Sequence, residues 1–469
     1  MGGNDWNRAL LRDWLAQEIG ADEEVDVEAG AVCVVFLNGV YWGVHEIRER
    51  FDSKWFEEWR GIGKKAGFSV LEYGDQLTYP QVNEGWGEDD AARTSAAYAD
   101  FWAILRQLEE WGDDLSDSER YAWFTNRVNP DSLAAHFASS LFVGNSDWPW
   151  NNQRWWRAWP DGAAGASVDR SRPRNDGRWN WMFHDMDFAF ALPFSYVPEW
   201  QNGLRAAHDS SEDMHRNGES YMVEDASRAF RAAMTNPGFR NRFLARVYLR
   251  LATGWTPAAC AAALERVAGE FRAAGMDENG ARWRQPQTAA DWERQIDMVR
   301  GYLRARPEAF AWHTRKRYGL GAERTVVLGT DGEGEGSVRV AGRELDGDAL
   351  PLCVGFPRNL PLELEAVPAK GSSFAGWFVA PGLLPEAPEA ARAEDCAANY
   401  GGANGAFPEA SLGTGWGEWT LEGGAAFTGT SAMPIHGRSE NGQSFGLRAS
   451  GGEAGAVRRE LADGAALEP

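Results

Sequence analysis

The chain has 469 residues, long enough for about three domains at roughly 150 residues each. Hydrophobic residues make up 43% and charged residues 25%, an ordinary globular balance that argues against wholesale disorder. A formal net charge of −22 repels phosphate backbones, so DNA and RNA are not expected partners.

In chain order, "NDWNRALLRDWLAQEIG" (residues 4–20) places Leu10, Trp14 and Leu15 on one face, with an Asn or Asp cap ahead and Gly20 behind. That pattern predicts a helix. "AVCVVFLNGVYWGVHEIRERF" is two apolar runs joined at Asn38-Gly39. Both residues tolerate positive φ, so the pair predicts a β-hairpin. Helices are expected at 53–60, 89–111 and 118–128. Another is expected in "NPDSLAAHFASSLFVG", with Asp131 as cap and Leu133, Phe137 and Leu141 spaced by four. Two aromatic strands follow, "QRWWRAW" and "RWNWMFHD", and then an irregular stretch over 193–217. Helices dominate from about Glu224 to His313. Beyond Arg317 the composition changes to short strands with glycine turns, as in "RTVVLGTDGEGEGSVRVAG". Residues 387–406 are Gly- and Ala-rich and read as a linker, and short strands resume in the tail. Cys33, Cys260, Cys353 and Cys396 are scattered without a CxxC pair, which argues against a zinc site. No apolar run approaches the length of a membrane span, and no secretory signal pattern occurs.

The candidate site lies in "NSDWPWNNQRWWRAW", residues 145–159, and in "RWNWMFHDMDFAF" farther along. A phosphoryl-transfer site of the kinase type needs a carboxylate to accept the substrate hydroxyl proton. It needs an amide five residues on to hold metal, and a second carboxylate after a later strand to hold metal bridging the nucleotide phosphates. Divalent metal and rigid positioning supply most of the rate, because the transferred group is densely charged. Asp147 and Asn152 have the Asp-x4-Asn spacing and follow a helix. Asp185 closes the next strand but one, and Asp187 opens "DFA", one residue away from a DFG-like triplet. Asp-x4-Asn alone is common; the order helix, loop, strand, strand, Asp is far more specific. Alternatives stay open for each piece. Asp147 could be a turn-capping acid, and Asp185 and Asp187 could be ordinary turn residues after a strand. His184 could orient Asp185 or be structural. Glu46 and Glu49, at the end of the hairpin, could face a nucleotide or solvent. The tryptophans read as core, with a sugar-stacking face as the rival.

Taken together, "NDWNRALLRDWLAQEI", "FLNGVYWGVHEIRERFD", "GNSDWPWNN" and "WMFHDMDFAF" resemble the CotH kinase family, the spore-coat protein H-like atypical kinases, over about Gly3 to Tyr318. The resemblance implies an α+β fold: an atypical protein-kinase-like domain with a partial N-lobe and a mostly helical C-lobe, over residues 1–318. Small all-β modules follow, at 325–386 and, after the linker, at 407–469. It implies ATP and Mg²⁺ as cofactors and transfer of phosphate to Ser or Thr of surface or coat proteins. Asp147 would be the catalytic aspartate, Asn152 and Asp185 metal ligands with Asp187 beside them, and Glu46 and Glu49 nucleotide-facing. The family has more sheet before its first helix, including a basic residue that reaches the phosphates. Here no Lys precedes Lys54, so the N-terminal strands are expected to be missing from this chain. "LELEAVPAKGSSFAGWF" resembles small β-repeats of bacterial surface proteins, which implies a cell-surface or extracellular setting. The reading from another class is a non-catalytic surface-binding or scaffold protein that keeps a kinase-like shell.

Overall fold

A computed structural model of the chain describes residues 5–62, 67–73, 81–85, 91–146, 148–149, 151–159, 168–169, 171–190, 204, 213–216, 219–222, 224–329, 335–345, 350–374 and 376–377, with short strands beyond. Two compact units are formed, Met1–Ala375 and Gly376–Pro469. The first mixes helices with small antiparallel sheets and is an α+β body.

Its first helix, α1, runs from Arg12 to Gly20, shorter than the periodicity predicts. The reason is local. Asp5 accepts from the backbone N–H of Ala9 (3.2 Å) and Arg12 (3.0 Å) and pairs with the Arg12 guanidinium, while Leu10 sits at φ +63°. A left-handed leucine cannot continue a helix, so residues 5–10 form turns instead. Trp14, Leu15, Ala16 and Ile19 are all buried, so α1 is a core helix rather than a surface one. Its C-terminal carbonyl at Ile19 accepts from Arg250 Nη2 (2.8 Å) and Trp255 Nε1 (3.0 Å), which satisfies a group the helix cannot satisfy itself.

Strands β1 (Gly30–Leu37) and β2 (Val40–Arg48) form the expected hairpin. Asn38 (φ +51°) and Gly39 (φ +79°) turn it, as the two-residue loop requires. A short helix, α2 (Ser53–Trp55), passes into a π-helical turn at Phe56–Arg60. Strand β3 (Phe68–Tyr73) pairs with β4 (Gln81–Gly85) and with β5 (Gln153–Ala158). β5 in turn pairs with β6 (Asn180–Met182), giving the order β4-β3-β5-β6. Helices α3 (Ala91–Glu110), α4 (Ser118–Thr125) and α5 (Pro130–Val143) lie between β4 and β5 in the chain. The cap of α5 is Asn129, whose side chain accepts from Asp131 N and Ser132 N, and not Asp131 as expected. Pro130 occupies the first helical position, where its missing N–H does no harm, so the cap falls one residue before it.

The short pair β7 (Asp213–Arg216) and β8 (Glu219–Met222) precedes five helices: α6 (Glu224–Thr235), α7 (Pro237–Ala252), α8 (Pro257–Ala274), α9 (Met276–Trp283) and α10 (Ala289–Arg317). Buried Arg306 of α10 donates from Nε to the Phe142 carbonyl (2.8 Å) and also bonds that of Leu141, which closes the C-terminal end of α5. Past α10, β9 (Glu323–Leu328) pairs with β12 (Leu352–Pro357), and β10 (Gly336–Val340) lies between β11 (Arg343–Leu345) and β13 (Leu364–Pro368). Leu328, Val338, Val354 and Phe356 share one buried cluster with the helices, and the Phe356 ring meets Tyr248 of α7 at 6.4 Å.

The aromatic strands are core. Trp155, Trp156, Trp179 and Trp181 are at most 2% exposed. Rings that deeply buried have no face to offer a sugar, so the stacking alternative does not apply to them. In the second unit, Trp416–Glu422 pairs antiparallel with Ala456–Leu461. Apart from Ala391–Arg392, the expected linker at 387–406 lies outside the described residues.

Gly20 makes a direct test of this packing. A Cβ there would stand 2.3 Å from the Phe183 ring. Gly20→Ala should therefore destabilise by about 1–3 kcal/mol through overpacking. Urea unfolding checks it, and a midpoint unchanged from wild type would show that the ring gives way freely.

Candidate functional site

An acidic cleft of about 290 Å³ opens beside α1, lined by Asp5, Trp6, Leu10, Asp13, Glu28, Glu46, Arg48, His184, Asp185 and Asp187. Its parts come from four places in the chain. Asp13 is on α1, and Glu28 leads into β1. Glu46 and Arg48 are two apart on β2 and so project from the same face. His184, Asp185 and Asp187 follow β6.

Arg48 is the only guanidinium or ammonium among the described residues that line the cleft. Its Nη1 lies 2.8 Å from Asp13 Oδ2 and 3.6 Å from Glu46 Oε2, and its Nη2 lies 3.4 Å from Glu28 Oε2. Burial works against its charge, but Asp13, Glu46 and Glu28 outweigh that and raise its pKa. Asp13 also accepts from the Met186 backbone N–H (2.9 Å), tying α1 to the 184–187 loop.

The two loops singled out in the sequence lie side by side. Ser146 N donates to the Phe188 carbonyl (3.3 Å), and Phe190 N donates to that of Val143 (3.0 Å). Asn152 Nδ2 donates to the Asp185 carbonyl at 3.5 Å. Asn152 and Asp185 both hold positive φ, +55° and +46°, a conformation that non-glycine residues adopt at a cost in strain. Asp147 lies outside the described residues. Glu46 lines the cleft, but Glu49 does not. Its carboxylate accepts from Ala29 N (3.1 Å), Trp59 Nε1 (3.1 Å) and Trp55 Nε1 (3.4 Å), so it holds the base of the hairpin.

Electrostatics mark the cleft as short of positive charge. Burial, with Asp185 beside it, pushes Asp187 up to about 8, and burial and Asp13 raise Asp185. Burial lifts Glu46 to about 8 and Glu28 to about 7, although Arg48 opposes both. Burial also drives His184 well below its ordinary value, with Arg154 and Arg48 adding to the effect, so its imidazole is neutral at pH 7. Both carboxyl oxygens of Asp187 are buried, and the neighbouring Asp185 carboxylate is the group to which its retained proton is donated. No group of three or more His, Cys, Asp or Glu among them is gathered closely enough to hold a metal alone. Two adjacent carboxylates and an amide still fit Mg²⁺, which binds through one or two carboxylates and completes its shell with waters and substrate phosphates.

Neither Asp13, Glu28 nor Arg48 was legible as a site residue. The one local hint was the Glu46-x-Arg48 alternation on a strand, which places both side chains on one face.

These shifts fix a pH dependence. Folded Glu46 keeps its proton to about pH 8, against 4.5 for an ordinary glutamate. Its contribution to stability is complete below the unfolded value and is lost as pH rises through the folded one. Glu28 and Asp187 act in the same direction. Without divalent ions, Tm should therefore fall between about pH 5 and pH 8. Glu46→Gln, neutral at every pH, should flatten that fall. An equally steep fall in the variant would show that Glu46 does not titrate in this window.

An α+β body with paired acids and one guanidinium in a single cleft, and an amide bonded to the backbone of one of those acids, is compatible with a kinase-like protein. A family model described as "CotH kinase protein" matches residues 2–310, and the chain belongs to that family. A search of curated proteins found no match.

Proposed function

We propose that the chain is a metal-dependent protein kinase that moves the γ-phosphate of ATP to Ser or Thr side chains of surface or coat proteins. The observation that carries this reading is the hydrogen bond by which Asn152 of the 145–152 loop meets Asp185, whose side chain lines an acidic cleft together with buried Asp187. In a kinase-like layout the β1–β2 hairpin covers the nucleotide side of the cleft, and the helices carry the rest. Asn152, Asp185 and Asp187 would hold Mg²⁺, which when bound neutralises phosphate charge. Carboxylates with raised pKa release protons as a cation enters, which favours metal uptake as pH rises. Asp147 would accept the proton of the substrate hydroxyl. Glu46 and Arg48 would border the nucleotide, while Glu49 serves the hairpin. A cell-surface setting belongs to the same reading.

Titration calorimetry of ATP with and without Mg²⁺ tests it, together with transfer of labelled γ-phosphate to a Ser/Thr-containing surface protein. Binding should require the metal. Absence of both nucleotide binding and transfer would sink the kinase reading in favour of a non-catalytic scaffold.

A further inference from the structure

Histidine 136 stands in the middle of α5 and is 1% exposed. Its Nε2 accepts from the Trp148 indole N–H at 3.2 Å, and its Nδ1 is buried without a partner. A neutral imidazole that accepts at Nε2 carries its proton on Nδ1, so this packing leaves a buried donor unsatisfied. A leucine would fill the space without that orphan. What histidine adds is the acceptor for Trp148.

Both loops of the site approach this ring. Trp148, 5.9 Å away between centroids, follows Asp147 and precedes Asn152 by four residues. Phe183, 5.4 Å away, precedes Asp185 by two, and its far edge is wedged against Gly20 of α1. The imidazole therefore touches the 145–152 loop on one side and the approach to Asp185 on the other. A rigid helix is a better anchor for such loops than either loop is for the other.

We infer that His136 is a positioning residue: through the Trp148 indole it holds the 145–152 loop in register with Asp185 and Asp187, an inference that rests on the kinase reading of that cleft. It does not line the cleft. Its effect passes through the geometry of Asn152, which bonds the Asp185 carbonyl.

The test uses the full chain and four variants: His136→Leu, His136→Gln, Trp148→Phe and the double variant His136→Leu/Trp148→Phe. Glutamine offers an acceptor near the place of Nε2; leucine does not. Amide hydrogen exchange, read with no ligand present, should rise about tenfold or more in residues 145–152 of His136→Leu and Trp148→Phe, a loss the size of one buried hydrogen bond. The helices over 224–317 should keep wild-type protection, and His136→Gln should restore the loop. The double variant should match the singles, because both remove the same contact. In phosphate transfer, kcat should fall about tenfold in the two single variants with KM for the protein substrate within about twofold, and His136→Gln should recover it. Unchanged loop exchange in both His136→Leu and Trp148→Phe overturns the inference. So does a uniform loss of protection across the chain that glutamine does not rescue. Selective loosening of the loop in a chain whose wild type binds no ATP would keep the anchor and reject the kinase reading.

Discussion

Asp147→Asn is expected to lower phosphate transfer by about 10²–10⁴-fold, the usual loss when a general base is removed. Mg²⁺-dependent ATP binding should survive, because asparagine keeps the shape and the metal is assigned to other residues. Asp185→Asn should behave differently. It deletes one of the two neighbouring carboxylates assigned to the metal, so metal-dependent nucleotide binding itself should weaken. Asn152→Ala should resemble Asp185→Asn. Calorimetry and transfer assays on the three variants, with thermal unfolding alongside, separate the roles. The neighbours of Asp147 make the comparison meaningful. Ser146 is bonded to the Phe188 carbonyl and Trp148 to His136, so a conservative change at 147 meets a loop pinned on both sides. Wild-type turnover by Asp147→Asn, in an active protein, would remove Asp147 as the base.

Trp156→Ala should destabilise the first unit by about 3–5 kcal/mol, with Tm lower by on the order of 5–10 °C. Trp156 is fully buried on β5, edge-on to Phe56 at 5.2 Å, and its Nε1 donates to Asp26 Oδ2 at 2.6 Å. Asp26 is also held by Arg174 (3.0 and 3.1 Å) and paired with Arg60. Truncation thus opens a cavity and strips one donor from a buried carboxylate. Trp156→Phe separates the two losses: it keeps most of the ring and forfeits only the N–H, for about 1–3 kcal/mol. Equal destabilisation by Ala and Phe would put the whole effect in the hydrogen bond, and a negligible effect of Phe would put it in packing. Chemical denaturation with a common slope measures both.

Local chemistry decided much of this protein from the sequence alone. Asn38-Gly39 determined the hairpin turn because few other pairs adopt two positive φ angles cheaply. The four-residue spacing of Leu133, Phe137 and Leu141 determined α5, because that period is a property of the backbone itself, and the short aromatic run "QRWWRAW" marked β5, because aromatic side chains suit a buried strand. The order of helix, Asp/Asn loop and strand-end acids was enough to indicate the family, and the two loops do meet. Tertiary structure decided where charge is gathered. Asp13, Glu28, Glu46 and Arg48 come from a helix, a connection and a strand, and only packing makes them neighbours of Asp185. Glu46 and Glu49 are equivalent in sequence, yet one enters the cleft and the other binds two indoles, because three residues along a strand end reverses the face. Asp5 shortened α1 by capturing N–H groups that periodicity assigned to the helix. His136 finds its partner in Trp148, twelve residues away and beyond the end of α5. A spacing rule sees the reach of one turn or one pleat; burial, desolvation and charge pairing depend on distances that only the folded chain sets.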